Sequence, residues 1–376
     1  VKIAVNLLWC VPGKVGGSEQ YLARQLAGLL QVPNGASDDV SRHGHVFDVE
    51  LYGPRGFAAA HPELDAYGIT ETSSDGRNRA LRIVHENTWL ASRTASADLV
   101  HHGGGTRPFR TTARTLLTVH DVQYLSYPEY FSQVRLRYLS AMMPRSLRKA
   151  TAVAVPSDYV RTTLVDRFGL DPSRVHVVVH GVESVDRNTL DIGAVRRRFG
   201  LGNVRYFIYP AITHPHKNHA FLVELLSGAW RKREEHLVFI GGQGRAHDEL
   251  MKTVSSSGVA NRIHFTGHVG AADRDALVAG SEALLFPSRY EGFGAPVVEA
   301  MGLGVPVVAS NSTCLAGVVG DGGLVLPLEL EAWASIPEIV EAQRPDLVAR
   351  GLDHARHFTL QASGADLRRA YEGTLS

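Results

Sequence analysis

Glu291 and Glu299 stand eight residues apart around Gly292-Phe293-Gly294-Ala295-Pro296. Two carboxylates at that distance arise often by chance, so what lies between them decides the reading. Gly292, Phe293 and Gly294 can turn backbone N–H groups outward just ahead of a helix opened by Pro296, and such a helix start suits an anion such as a phosphate. Glu299 lies among Val297, Val298, Ala300 and Met301, and a carboxylate in that company must face a cleft or find partners. An acidic side chain so placed can accept from both hydroxyls of a ribose.

Lys217, in Thr213-His-Pro-His216-Lys217-Asn218-His219, offers a compact positive charge suited to a diphosphate. His214, His216 and His219 could together suggest a metal site, but Pro215 breaks their helical spacing and neither cysteine nor carboxylate sits among them. Asp273-Arg274-Asp275 resembles a metal-binding acidic pair; its place at a helix start favours the plainer account, acidic residues complementing the helix dipole. His120, followed by Asp121, ends an apolar run, where it can bond a sugar hydroxyl or move a proton near neutral pH; the alternative is a histidine satisfied within its loop. Gly16 and Gly17 permit a backbone to approach a ligand closely, or simply make a tight turn. They do not form the G-x-G-x-x-G dinucleotide fingerprint, so no nicotinamide cofactor is indicated.

The elements that must position these groups alternate strand and helix. Lys2–Trp9, Val46–Tyr52, Asp98–His101, Leu116–Val119, Thr151–Pro156 and Val175–Val179 read as strands; Ser18–Leu30, with Ser18 as its cap, Ala80–Ser92, Phe131–Ala150 and Asp158–Phe168 read as helices. Gln31–His45 is polar and reads as a surface loop. After a polar linker at Glu183–Asn188 the alternation restarts. Tyr206–Tyr209, His236–Ile240, Ile263–Thr266 and Ala283–Phe286 read as strands, each followed by a helical segment, and Arg350–Leu375 reads as a helical tail. The fold class is therefore α/β, in two halves.

A chain of 376 residues fits two domains. A net charge of +1 leaves no footprint for nucleic acid. Two cysteines, Cys10 and Cys314, exclude a disulfide framework or a cluster of thiolates and point to a reducing compartment. No apolar run is long enough to span a membrane, and no signal-peptide pattern precedes the first strand, so a cytoplasmic location is expected. The basic, apolar segment Phe131–Ala150 leaves two readings open: peripheral contact with the inner face of the membrane, or a core helix with a basic outer face.

Glu291-Gly-Phe-Gly-Ala-Pro-Val-Val-Glu299 is similar to the E-x7-E motif of the retaining glycosyltransferases of family 4, mannosyltransferase-like members in particular. Further matches run along the chain: Gly16-Gly17, His120-Asp121 with Pro128-Glu-Tyr-Phe131, His216-Lys217-Asn218, Gly242-Gln-Gly244, Phe265-Thr-Gly267 and Val308-Ala-Ser-Asn311. The resemblance implies the GT-B fold. An acceptor-binding Rossmann-like domain would span 1–185, with a returning helix at 358–376, and a nucleotide-sugar-binding domain 186–357, their parallel sheets facing across a cleft. Carried over by position, Glu299 would bind the donor ribose and Glu291 would lie beside the donor sugar. Gly292, Phe293, Gly294, Ala295 and Lys217 would hold the diphosphate, and Val269 would touch the base. Gly16, Gly17, His216, Asn218, Gly242 and Ser288 would complete the donor contacts. His120 would touch the transferred sugar, with Asp121 and Tyr124 toward the acceptor. Two positions depart from the pattern: Ala211 stands where many members have an arginine six residues before the lysine, and Gly317 where relatives often have Glu.

The implied activity is transfer of a hexose, mannose from GDP-mannose foremost, to a glycan or lipid-linked acceptor, as in polysaccharide or glycolipid synthesis. Configuration would be retained by front-face attack, with neither cofactor nor metal. Two rivals share the architecture: a nucleotide-sugar epimerase, which needs no acceptor, and a catalytically silent nucleotide-sugar-binding subunit.

Overall fold

The computed structural model describes residues 1–33 and 46–376, so most of the loop expected at Gln31–His45 lies outside the described residues. Contacts divide the chain into two units, Val1–Gly181 with Phe358–Ser376 and Val182–His357.

The first unit holds a parallel sheet. Its strands are β1 (Lys2–Asn6), β2 (Asp48–Gly53), β3 (Gly68–Glu71), β4 (Leu99–His102), β5 (Arg114–Thr118), β6 (Ala152–Val155) and β7 (Val175–Val177), in the order β3-β2-β1-β4-β5-β6-β7. Both faces are covered, as a parallel sheet requires, and alternate residues serve different cores. Ile3 and Val5 pack with Leu22 and Leu26 of the helix Gly17–Leu30, while Ala4 joins Leu90 and Val100 on the other face. The second unit repeats the plan with β8 (Tyr206–Pro210), β9 (His236–Ile240), β10 (Ile263–Gly267), β11 (Leu284–Phe286), β12 (Val307–Ser310) and β13 (Leu324–Leu326), in the order β10-β9-β8-β11-β12-β13. In both sheets strand order reverses beside the first strand, between β1 and β4 and between β8 and β11. Ligands of open α/β sheets bind outside the carboxyl ends of the strands at such a reversal.

Several local expectations are corrected. The short strands β3 and β13 were not foreseen. Ser18 does not cap its helix; Gly16, at φ 65°, occupies that position, and no side chain caps the first turn. The segment read as a helix at Ala80–Ser92 contains a wider turn at Glu86–Leu90. The tail is two helices, Ile336–Ala355 and Leu360–Leu375, because Thr359 Oγ1 accepts Ala362 N–H at 3.1 Å and starts the second one afresh. No helix among the described residues is long and apolar enough to cross a membrane.

The helix Leu360–Leu375 crosses back onto the first unit. Gly28 and Gly364 allow its backbone against that of Gly17–Leu30: a Cβ on Gly364 would stand 2.1 Å from Gly28 C, and one on Gly28 1.9 Å from Leu360 O. Tyr371 and His101 share a hydrogen bond at 2.9 Å, and His101 meets Thr118 Oγ1 at 2.7 Å. Gly364→Ala gains about 1 kcal/mol of helix propensity, yet it forces two backbones apart, and we expect a net loss of about 2 kcal/mol or more. Urea melts check this, with Gly317→Ala, also helical and with nothing within 4 Å of the added Cβ, expected to cost no stability.

Candidate active site

The reversal between β8 and β11 brings Lys217 and Glu291 together. Pro215 opens a single turn after β8 that ends at Lys217, and Asn218, at φ 57°, bends the chain into the helix His219–Ser227. Lys217 Nζ lies 2.6 Å from Glu291 Oε1, with the two side chains 20% and 10% exposed. The backbone beneath is fixed by buried hydroxyls. Tyr209 donates to Lys217 O at 2.9 Å and meets Ser288 Oγ at 2.8 Å, while Ser310 Oγ donates to Ser288 O at 2.5 Å. Asn218 Nδ2 donates to Pro287 O, and Arg289 N–H to His216 O, tying the β8 loop to the β11 loop.

The glycine turn is latched from behind. Glu291 N–H donates to Thr313 Oγ1 and Thr313 Oγ1 donates to Glu291 O, each at 3.0 Å, and Cys314 Sγ reaches Glu291 O and Phe293 O at 3.3 and 3.2 Å. Gly294, at φ 94°, precedes the helix Ala295–Gly302, in which Pro296 follows Ala295 instead of leading. A Cβ on Gly294 would press Leu315 at 2.9 Å. Glu299, on that helix, has Arg274 Nη1 4.0 Å from Oε2, and Arg274 also binds Asp275 at 2.8 Å. Burial works against the Arg274 charge, but Glu299, Asp275 and Glu183 outweigh it and raise its pKa. The guanidinium thus bonds Asp275 and stands near the Glu299 carboxylate. Sequence reading set aside Asp273-Arg274-Asp275 as a helix start and so missed Arg274. The buried Asp275 is its partner, whereas Asp273 pairs with Arg198, so the two carboxylates face different partners.

Other site candidates fall into groups. Gly242 O accepts Thr213 N–H at 3.3 Å and Gly244 N–H donates to Thr213 Oγ1 at 2.7 Å, joining the ends of β8 and β9. Val269, half-buried, lies in the link after β10. Ala211 O accepts from His219 Nε2 at 3.2 Å. Burial, then Lys217 and the neighbouring imidazoles, push His216 and His219 down to about 3, so neither ring adds positive charge near neutral pH. Phosphate neutralisation cannot then lean on His216 as a cation in this state. Ser288 is fully buried with its hydroxyl against Tyr209, which makes it a support for the Lys217 turn and not a donor contact.

In the first unit, His120 follows β5, and its Nε2–H donates to Gly103 O at 2.8 Å. Its ring lies 5.4 Å from those of Trp9 and Tyr21. Burial lowers its pKa against the opposing effects of Gly103 O and Asp121, so Nδ1 is left as an acceptor for a hydroxyl. Asp121 Oδ1 accepts Gln123 N–H at 2.9 Å, a local turn. Tyr124 lies in the apolar core with Phe131 and Leu147, and burial raises its pKa to about 12; it packs there and is not presented to an acceptor. No atom lies within 4 Å of a Cβ placed on Gly16 or Gly17.

Comparison with known proteins agrees with this arrangement. Residues 40–185 match the family model described as Glycosyltransferase Family 4, and residues 194–335 that of Glycosyl transferases group 1. The chain is 27% identical to O-antigen chain mannosyltransferase B of Escherichia coli, over 86% of this chain and 90% of that one. It is 26% identical to an O-antigen chain mannosyltransferase of Salmonella typhimurium, over 75% of this chain and 76% of that one. Among solved structures, Anabaena HepE in complex with UDP and glucose superposes with a TM-score of 0.73 at 20% identity, covering 99% of each chain. The sucrose-phosphate synthase of Thermosynechococcus elongatus does so with a TM-score of 0.75 at 17% identity, covering 99% of this chain and 98% of that one. With one matching family model on each unit and the Glu291–Glu299 motif placed at the end of β11, the chain belongs to the family 4 glycosyltransferases and has the GT-B fold.

Proposed function

We propose that the chain transfers mannose from GDP-mannose to a hydroxyl of a glycan or lipid-linked glycan, with retention of configuration and without a catalytic metal. The observation that carries the reading is the Lys217–Glu291 pair at the reversal of the second sheet, 2.6 Å apart beside the Gly294 turn. There Lys217 and the Gly292–Ala295 backbone would take the diphosphate, Glu299 the ribose and Glu291 the sugar. The two mannosyltransferase relatives support the choice of sugar.

The sugar C1–O bond to the diphosphate breaks, and the acceptor oxygen attacks C1 from the same face. The acceptor's proton passes to the departing phosphate oxygen, so charge balances within the substrates. The protein's part is to stabilise the growing negative charge; a well-aimed donor contributes about 3–4 kcal/mol to such a step. His120, through Nδ1, is assigned to a hydroxyl of the transferred sugar and the Gly16–Gly17 turn to the donor on the family resemblance alone. Peripheral membrane contact remains part of the proposal, through the exposed Val134, Arg137, Arg148 and Lys149 of the helix Gln133–Lys149.

A thermal-shift panel of GDP, UDP, dTDP and their sugars tests the donor, because only a ligand of the folded state raises the melting temperature. GDP and GDP-mannose are expected to give the largest shifts; a larger response to UDP-glucose would overturn the mannose assignment. Glu299→Ala is expected to weaken GDP binding about 10- to 100-fold by calorimetry, the loss of a charged hydrogen bond to ribose. An unchanged Kd would remove Glu299 from the ribose.

A further inference from the structure

We propose that the first unit carries a zinc site made by Cys10, Glu19 and His61, with the fourth position left to a water. These three come from the loop after β1, the first turn of the helix Gly17–Leu30, and the turn after Phe57–Ala60. Their ligand atoms all lie within 4.8 Å of one another, and each residue is more than nine-tenths buried. Sulfur, imidazole nitrogen and carboxylate oxygen are the donor types zinc takes.

Two details distinguish this cluster from an ordinary buried ion pair. The pair His61 Nε2–Glu19 Oε1, at 3.1 Å, accounts for two members, but the Cys10 sulfur makes no hydrogen bond among the described residues. His61 Nδ1 lies 2.8 Å from Glu63 Oε1, the arrangement by which a carboxylate orients a ligating imidazole, and Nε2, beside Glu19 Oε1, faces the cluster. Tetrahedral zinc spaces its ligand atoms about 3.4–3.6 Å apart, so the longest separation would shorten by about 1 Å, within reach of side-chain rotation.

The site has a consequence for the chain it encloses. Glu19 already accepts Gly13 N–H with both oxygens, at 3.2 and 3.0 Å. Metal bound at Cys10 and Glu19 would brace the intervening segment, which includes Gly13, Gly16 and Gly17, from both ends. The site itself does not depend on which donor or acceptor the chain uses.

The test uses the full chain, stripped with a chelator and titrated with cobalt and then zinc. One equivalent of cobalt is expected to give a thiolate-to-cobalt charge-transfer band that zinc abolishes. Zinc at a hundredfold excess over its Kd is expected to raise the melting temperature by about 5–10 °C. Cys314→Ser should keep the band and Cys10→Ser should lose it, while Glu63→Gln should weaken affinity about 10- to 100-fold with the band intact. Absence of the band in the unmodified chain, or its survival in Cys10→Ser, overturns the site; the first readout stands even if Cys10→Ser fails to fold.

Discussion

Lys217→Ala is expected to lower kcat about 10²- to 10³-fold while leaving nucleotide affinity far less changed. The reason lies in timing: the diphosphate gains its extra negative charge as the C1–O bond breaks, so a cation aimed at it acts more strongly on the transition state than on the bound donor. The substitution also strips Glu291 of its partner at 2.6 Å, in a place where both side chains are mostly buried. An unpaired carboxylate there destabilises the fold, which would blur the result. Lys217→Ala made together with Glu291→Gln leaves no unpaired charge, and Lys217→Ala against a Glu291→Gln parent therefore isolates the lysine. Near-parental kcat in that pair, measured as sugar transfer under saturating donor, would remove Lys217 from the chemistry.

The second large effect concerns acid. His101, His102 and His219 are buried neutral, with burial, foremost, holding each at about 3. His102 shows how neutrality is built in: Nδ1 faces the Asn6 amide nitrogen at 3.1 Å and Nε2 faces Thr111 Oγ1 at 3.1 Å, leaving no partner for a second proton. Folded pKa values lie below the unfolded value of about 6.5, so the unfolded chain binds the extra protons. The stabilisation is complete above about pH 6.5 and is lost as pH falls toward 3, at up to about 1.4 kcal/mol per pH unit for each ring. By pH 5 each has withdrawn about 2 kcal/mol, against a typical domain stability of about 5–15 kcal/mol. His216, also held at about 3, lies with His219 in the second unit, so each unit carries two such rings and both should weaken together. Urea midpoints at pH 7 and pH 5, followed by probes in each unit, check this; equal midpoints at the two pH values would contradict it.

Most of the second unit could be read from its residues, and the reasons are local. His236–Ile240 is bounded by its own composition, and the Glu291–Glu299 stretch carries a turn, a helix start and two placed carboxylates within nine residues. What escaped depends on contacts across the sheet. β3 carries no apolar run and β13 is only the three residues Leu324–Leu326, so pairing with β2 and β12 is what makes them strands. Arg274 is legible only once the helix Ala271–Ala279 lies beside Ala295–Gly302, and Thr313 and Cys314 only once the chain after β12 returns to the Glu291 turn. The burial of Ser288 and Tyr124 escaped for the opposite reason: position in a motif says nothing about which way a side chain points. Cys10, Glu19 and His61 likewise show no motif spacing, since His61 stands 42 residues beyond Glu19.

The helix Leu360–Leu375 makes the first unit discontinuous in sequence, and that matters on the ribosome. When Gly181 has been synthesised the sheet of the first unit is complete, yet Gly28 and His101 still lack the helix that covers them. The missing piece follows only after residues 182–357, a delay of about 10–35 s at ordinary translation rates. Throughout that interval the nascent chain exposes an apolar groove beside the helix Gly17–Leu30 while the second unit folds. A chain built this way invites chaperone binding at that groove, and emergence of the helix Leu360–Leu375, not of the last strand of its sheet, is the event that closes its first core.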